Sequence, residues 1–333
     1  MKNDLENLQP LMSKRGVKVS QEVFHKAVNT IFHDVESKYY DTLHHDMDSS
    51  LQEQVDLLAD DILKVIAPNV PGQFILLDVG CGTGMSTDKL LKTRLGKYIS
   101  KVYLLDTSKG MLKQCAAKAV NWGIPFEVIE DDIFSLKNAK FDLILTCSVL
   151  HHIPNLDVFL GKIASLQKER GFFIHLHDSN GDSVFTENYV NRKNELRNFK
   201  KTKNLPGYFS KILIDKIKGK IKRFTGIGKK DYIDEVNEKL MEQGIIKTPM
   251  TDVEIWSVTD LHVEDLPNHY GKGISFAFLQ NQLSSYNCIS RRSYRFFGDL
   301  KMLLPPSFRE QEEKWISENK LDGHELSAVW QLK

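Results

Sequence analysis

The sequence predicts an α/β protein. The expected architecture is a doubly wound, seven-stranded, mostly parallel sheet, with helices ahead of it and a mainly helical cap inserted after the fifth strand. Three observations carry that expectation. Short apolar runs alternate with helical stretches between residues 74 and 176, the rhythm of parallel βαβ units. The first run, Phe74-Ile75-Leu76-Leu77-Asp78-Val79, passes directly into Gly80-Cys81-Gly82-Thr83-Gly84 and a helix start at Met85. Closely spaced glycines let main chain approach a ligand unobstructed, and the helix N-terminus behind them offers free N–H groups. Acids follow at the ends of the next two runs, the edge where open α/β sheets bind their ligands.

The bulk properties are those of a globular chain: 333 residues, 41% hydrophobic and 27% charged, enough for one domain with a substantial addition. No run of 18 apolar residues suggests a transmembrane helix, and Met1-Lys2-Asn3-Asp4-Leu5-Glu6 lacks a signal-peptide core. The cysteines, Cys81, Cys115, Cys147 and Cys288, are scattered without a C-x-x-C pair, which argues against a disulfide framework or a zinc site. A cytoplasmic enzyme is expected.

In chain order, residues 1–19 read as polar and loosely held. From Ser20, the positions Val23, Phe24, Ala27, Ile31, Phe32 and Val35 recur at helical spacing, ahead of Tyr39-Tyr40-Asp41-Thr42-Leu43-His44-His45-Asp46. Ser50-Leu51-Gln52-Glu53 has the form of a capping box opening a helix towards Ile66, which Pro68 and Pro71 close. Strands are expected at 74–79, 101–105, 126–130, 141–147 and 171–176. Roughly 100 residues then precede a sixth strand at 286–292, and a seventh follows at 326–332. Helices are expected near 183–199, at 209–224, after the box Thr251-Asp252-Val253-Glu254, and at 308–319 after Ser307-Phe308-Arg309-Glu310. The chain thus divides into a helical segment 1–69, a core 70–178, a cap 179–284 and the last two strands in 285–333.

The glycine spacing is G-x-G-x-G, one residue short of a dinucleotide fingerprint and without the G-K-[ST] of a Walker loop. Asp78-Val79-Gly80-Cys81-Gly82-Thr83-Gly84 resembles the first motif of the class I S-adenosylmethionine-dependent methyltransferases. The later stretches Asp106-Thr107-Ser108-Lys109-Gly110-Met111-Leu112, Asp132-Ile133, Phe141-Asp142-Leu143-Ile144 and Leu150-His151-His152 are similar to that family's following motifs, in order. The likeness covers about residues 70–180, and 326–332 loosely. It implies S-adenosyl-L-methionine as cofactor, held by Asp78, Gly80, Cys81, Gly82, Gly84, Asp106, Thr107, Met111, Asp132, Ile133 and Cys147, the last mainly through main chain. An acid at the tip of the second strand, here Asp106, can accept both ribose hydroxyls of a nucleoside. Asp131 departs from the glycine often found at its place. The N-terminal helices are implied to cover the cofactor and shape the acceptor pocket.

Methyl transfer asks the protein to align a nucleophile with a sulfonium carbon and, for a weak nucleophile, to remove its proton. Histidine suits that task near neutrality. His177, His151 and Asp178 are the catalytic candidates, and Tyr40, His44, His152 and His262 the candidates for the acceptor pocket. His151 and His152 equally fit a packing role with ring nitrogens on main chain. His175 and His177 share one face of a regular strand and could both ligate, but nothing in their spacing demands a metal, and none is expected.

The net charge of +1 is uneven: residues 192–230 hold 14 Lys/Arg against two acids. Within that run, Phe209, Leu213, Ile217, Ile221 and Phe224 form an apolar stripe among lysines, readable as a solvated helix face, a dock for an acyl carrier protein, or a helix lying on anionic lipid. Nucleic acid is disfavoured by the near-neutral total and the lack of a binding module. The expected activity is methylation of a small-molecule acceptor, on O or N rather than C, of the kind met in secondary metabolism. A lipid, prenyl, phosphorylated or carrier-bound acyl acceptor, or an inactive cofactor-binding regulator, are the alternatives. The sequence leaves the oligomeric state unknown.

Overall fold

A computed structural model describes residues 5–44, 48–66, 74–202, 232–262 and 273–333. Seven strands form one sheet: β1 (Phe74–Val79), β2 (Ile99–Asp106), β3 (Phe126–Glu130), β4 (Phe141–Cys147), β5 (Gln167–Ser179), β6 (Tyr286–Tyr294) and β7 (Glu325–Leu332). Their order is β3-β2-β1-β4-β5-β7-β6, with β1 to β5 parallel and β7 antiparallel to both of its neighbours. The doubly wound, mostly parallel sheet is what the alternation of strands and helices predicts, and its seven-stranded order agrees with the class I methyltransferase type that the motif resemblance implies.

Strand alternation builds the two core layers. Leu76, Leu143 and Phe172 face one side, and their chain neighbours Leu77, Ile144 and Phe173 face the other. The first layer is closed by α4 (Asp48–Leu63), α5 (Met85–Lys92) and α6 (Lys109–Ala119), and the second by α7 (Leu156–Leu166). Both layers are almost wholly aliphatic and aromatic, so the sheet is held by burial of apolar area on both faces.

The N-terminal segment departs from its expectation. Residues 5–15 are not loose: Leu5, Leu8, Leu11 and Met12, the last two on α1 (Gln9–Arg15), are buried. Their spacing of three, three and one is helical, a signal hidden by the polar residues between them. They pack with Phe24, Val28, Ile31 and Val35 of α2 (Gln21–Glu36) against Val236, Leu240, Ile255 and Val258 of the insertion. The last four lie on α9 (Tyr232–Glu242) and α10 (Asp252–Thr259). N-terminal helices and insertion therefore share one core, a roof over the strand ends. α3 (Tyr40–Leu43) continues α2 towards the glycine loop.

The rest of the insertion goes elsewhere. α8 (Glu187–Thr202) packs through Leu196 on Tyr294, Phe296 and Phe308, at the β6 edge, and α11 (Phe276–Gln282) lies on the α7 side. Of three capping boxes read from the sequence, one forms. Thr251 accepts from Glu254 N–H and Glu254 from Thr251 N–H. Ser50 instead sits inside α4, buried with an unpartnered hydroxyl, and α12 (Pro306–Ser317) starts on its proline ahead of Ser307. The basic stripe 209–224, Pro68 and Pro71 lie outside the described residues. Among the described residues, no helix is long and apolar enough to cross a membrane.

Candidate active site

Under the roof, at the carboxyl ends of the strands, lies a cavity of about 860 Å³. One end is the turn from β1 to α5. Gly82 has φ +53°, and a Cβ placed on it would meet nothing within 4 Å, so bare main chain faces open space here. Gly84, at φ +79°, is a packing glycine, since its Cβ would stand 2.7 Å from Cys115 Sγ. Asp106, at the tip of β2, accepts Gly82 N–H at 2.8 Å on one oxygen and Ser108 N–H at 2.8 Å on the other. Those bonds aim the carboxylate along the cavity wall, with Thr107, Met111, Asp132 and Ile133 beyond it.

Asp78 stands behind this wall, fully buried, accepting from Ser86 and Thr87 hydroxyls at 3.0 and 2.5 Å. Burial pushes its carboxyl up to about 7, with the two hydroxyl bonds opposing. Asp78 ties strand to helix beneath the loop. Cys81 and Gly84 are likewise behind the wall, and Cys147 is outside the lining, half-buried against the first core layer. The surface of this end, a main-chain glycine cradle, an acid and an apolar slot of Met111, Ile133 and Val149, fits S-adenosylmethionine. Asp106 would take the ribose hydroxyls, the slot the adenine, and the Gly80–Gly82 main chain the amino-acid end.

The roof is tied to this end. Lys26 of α2 reaches Asp132 at 2.8 Å, Asp34 accepts Gly110 N–H at 2.6 Å, and Asp41 of α3 receives Thr83 Oγ1 and Lys118 Nζ, each at 2.6 Å.

The opposite end is a wall of histidines backed by carboxylates. His151 Nδ1 lies 2.8 Å from Asp178 Oδ1, which also accepts the His151 N–H at 3.2 Å; Asp178 itself is buried behind the ring. Burial lowers the His151 pKa, but Asp178 outweighs it, and the net shift is upward. His152 Nδ1 lies 2.9 Å from Thr259 O and 3.2 Å from Asp260 Oδ1. Burial and His151 push the His152 pKa down, while His152 holds the Asp260 carboxyl at about 2 against its own burial. His177 stacks on Tyr294, its Nδ1 2.9 Å from the phenolic oxygen, and burial keeps its pKa low.

From the roof, Glu36 sits between His33 and His44, at 3.5 and 3.4 Å, and the two imidazoles hold its carboxyl at about 2 despite burial. Tyr40 lies on the His44 ring, with centroids 4.3 Å apart.

Of the predicted acceptor-side residues, Tyr40, His44, His151, His152 and His177 line the cavity. Asp178 and His262 do not. Asp178 lies behind His151, in contact with its Nδ1, and His262 braces the wall, its Nε2 2.9 Å from Ile153 O and its N–H on His151 O. The shared face expected for His175 and His177 is not formed. The β5–β7 register shifts between His175 and Asp178, and His177 has φ +64°, so His177 turns to the cavity while His175 is buried beside Phe173. Sequence reasoning missed His25, His33, Glu36 and Asp260. The first three do carry a signal, because spacings of eight and three put them on one side of α2, beside the apolar stripe.

Residues 77–175 match the sequence profile of the methyltransferase domain family. The chain is 28% identical over 102 residues to a ubiquinone biosynthesis O-methyltransferase of Maricaulis maris, covering 30% of this chain and 38% of that protein. It is 31% identical over 109 residues to an uncharacterised methyltransferase of Mycobacterium bovis, covering 32% and 51%. The chain thus spans about half or less of the length of these relatives. Among solved structures, magnesium protoporphyrin IX methyltransferase of Synechocystis PCC 6803, with bound SAH, is similar at a TM-score of 0.47 and 13% identity, over 94% of this chain and 100% of that one. Residues 77–175 thus match a methyltransferase domain by sequence profile, and the motifs and the sheet order agree with the class I type.

Proposed function

We propose that the chain is an S-adenosylmethionine-dependent methyltransferase that methylates an oxygen or nitrogen of a small-molecule acceptor. The observation that carries this reading is one continuous cavity, with the Gly82–Asp106 cradle at one end and the histidine wall at the other. The cofactor supplies an already electrophilic methyl carbon, so the protein's own work is alignment and proton removal. The cradle and Asp106 fix the donor end. The wall offers two imidazoles for the acceptor's proton: His151, steadied by Asp178, and His177, steadied by Tyr294. The O-methyltransferase named among the relatives favours oxygen over nitrogen.

The test is calorimetric titration with S-adenosylmethionine and its demethylated product. Micromolar binding is expected, weakened by about 1.5–3 kcal/mol in Asp106→Ala, the range for hydrogen bonds to a charged group. Absence of binding to the wild type would overturn the reading. Turnover follows with a panel of phenols and amines, where Asp178→Asn should lower kcat more than it raises KM.

A further inference from the structure

We infer that His151, His152 and Asp260 hold a divalent first-row transition-metal ion at the acceptor end of the cavity, where it takes an oxygen of the acceptor. The role given to the ion rests on the methyltransferase reading; the site itself does not. One ligand atom from each of the three residues lies within 4.8 Å of the other two, on the cavity wall. A tetrahedral site needs ligand atoms about 3.3–3.5 Å apart, from bonds of about 2.0–2.1 Å, so closure takes side-chain rotations of roughly an ångström.

The support behind the rings makes this more than proximity. A metal-bound histidine holds its second ring nitrogen against a carboxylate or main-chain carbonyl, which fixes the tautomer and points the other lone pair at the ion. His151 has that backing, with Asp178 Oδ1 at its Nδ1, while His152 Nδ1 meets both Thr259 O at 2.9 Å and, at 3.2 Å, the Asp260 carboxylate itself. Asp178 Oδ2 is buried without a partner, which strengthens its pull on the His151 proton. The two rings lie with centroids 4.1 Å apart, so both imidazoles are offered to the same part of the cavity wall.

Two imidazoles and one carboxylate suit zinc, iron, cobalt or manganese better than magnesium or calcium, which favour all-oxygen sites. Three protein ligands leave coordination positions open, the mark of a site that takes a substrate. An acceptor hydroxyl bound there would ionise more readily. With His151 engaged as a ligand, the acceptor's O–H proton would pass to the His177 imidazole on the same cavity wall. The ligands come from the turn after β4 and the end of α10, so the ion also joins sheet to roof.

The test uses the full chain, stripped with a chelator and titrated with Zn²⁺ and Co²⁺. One ion per chain, a raised melting temperature and Co²⁺ d–d bands of low-coordinate geometry are expected. Asp260→Asn and His152→Gln should each weaken binding by more than about 100-fold, Asp178→Asn by about 10–100-fold as an outer partner, and His44→Gln not at all. Binding of the demethylated cofactor by each variant checks that it is folded. No uptake by the wild type, or uptake that Asp260→Asn leaves intact, overturns the site. If the wild type binds demethylated cofactor without taking up metal, the metal site falls and the methyltransferase reading stands.

Discussion

Gly82 and Gly84 have almost the same backbone problem and opposite surroundings. Each has positive φ, which costs an L-residue about 1–2 kcal/mol. An alanine methyl at 82 would project into the cavity, whereas at 84 it would collide with Cys115 Sγ. Gly82→Ala should therefore lose cofactor affinity by more than 10-fold, roughly 1.4 kcal/mol, with a modest fall in melting temperature. Gly84→Ala should mainly destabilise. Calorimetry paired with thermal melts separates the two. At this scale the glycine turn and Asp106 were readable as features of strand tips, whereas Asp78, Cys81, Gly84 and Cys147, named with them by the resemblance, lie outside the cavity lining. The histidine wall was legible only in part. His33 on α2 and Asp260 at the end of α10 are far from His152 in the chain, and only the packing of the roof brings them to it, with Glu36 held behind His33.

The capping boxes show how local rules depend on their neighbours. Ser50, Thr251 and Ser307 all stand three residues before a glutamate, yet only Thr251 caps. Ser50 is drawn into α4 because the helix continues back to Asp48, and Pro306 starts α12 before Ser307 can. Thr251→Ala should cost about 1 kcal/mol in urea unfolding. Ser50→Ala, which removes a buried unpartnered hydroxyl, should be neutral or stabilising.

The same α10 carries Glu254, whose carboxylate receives Arg15 and Lys14 from α1 at 2.5 and 2.9 Å. Burial raises its pKa, but Thr251 N–H, Lys14 and Arg15 more than reverse that, to about 2 from 4.5. A depressed folded-state pKa contributes stability above the unfolded value and loses it as pH falls from about 4.5 towards 2. Glu254→Gln should therefore be less stable than wild type at pH 7, by about 1–2 kcal/mol, with the gap closing towards pH 2 in urea titrations.

At the scale of the molecule, the five parallel strands could be read from short apolar runs, and the last two strands were placed with the help of the resemblance. Where the insertion after β5 goes could not be read. Its helices have apolar faces of ordinary period, and nothing in a period says which of three surfaces each face will meet. The structure sends them to the β6 edge, the α7 layer and the roof.

The roof helix α2 is a single rod of 16 residues, about 24 Å long. Near its start Lys26 binds Asp132 at the donor end, and near its close His33 and Glu36 meet the histidine wall at the acceptor end. A rod cannot settle on one ligand without setting its distance to the other. On the proposed function, a ligand that shifts α2 at one end alters affinity at the other, and linkage makes that effect reciprocal. Lys26→Ala, made at the donor end, should thus change acceptor affinity measured with demethylated cofactor bound, and the order in which the two products leave becomes a property of one helix.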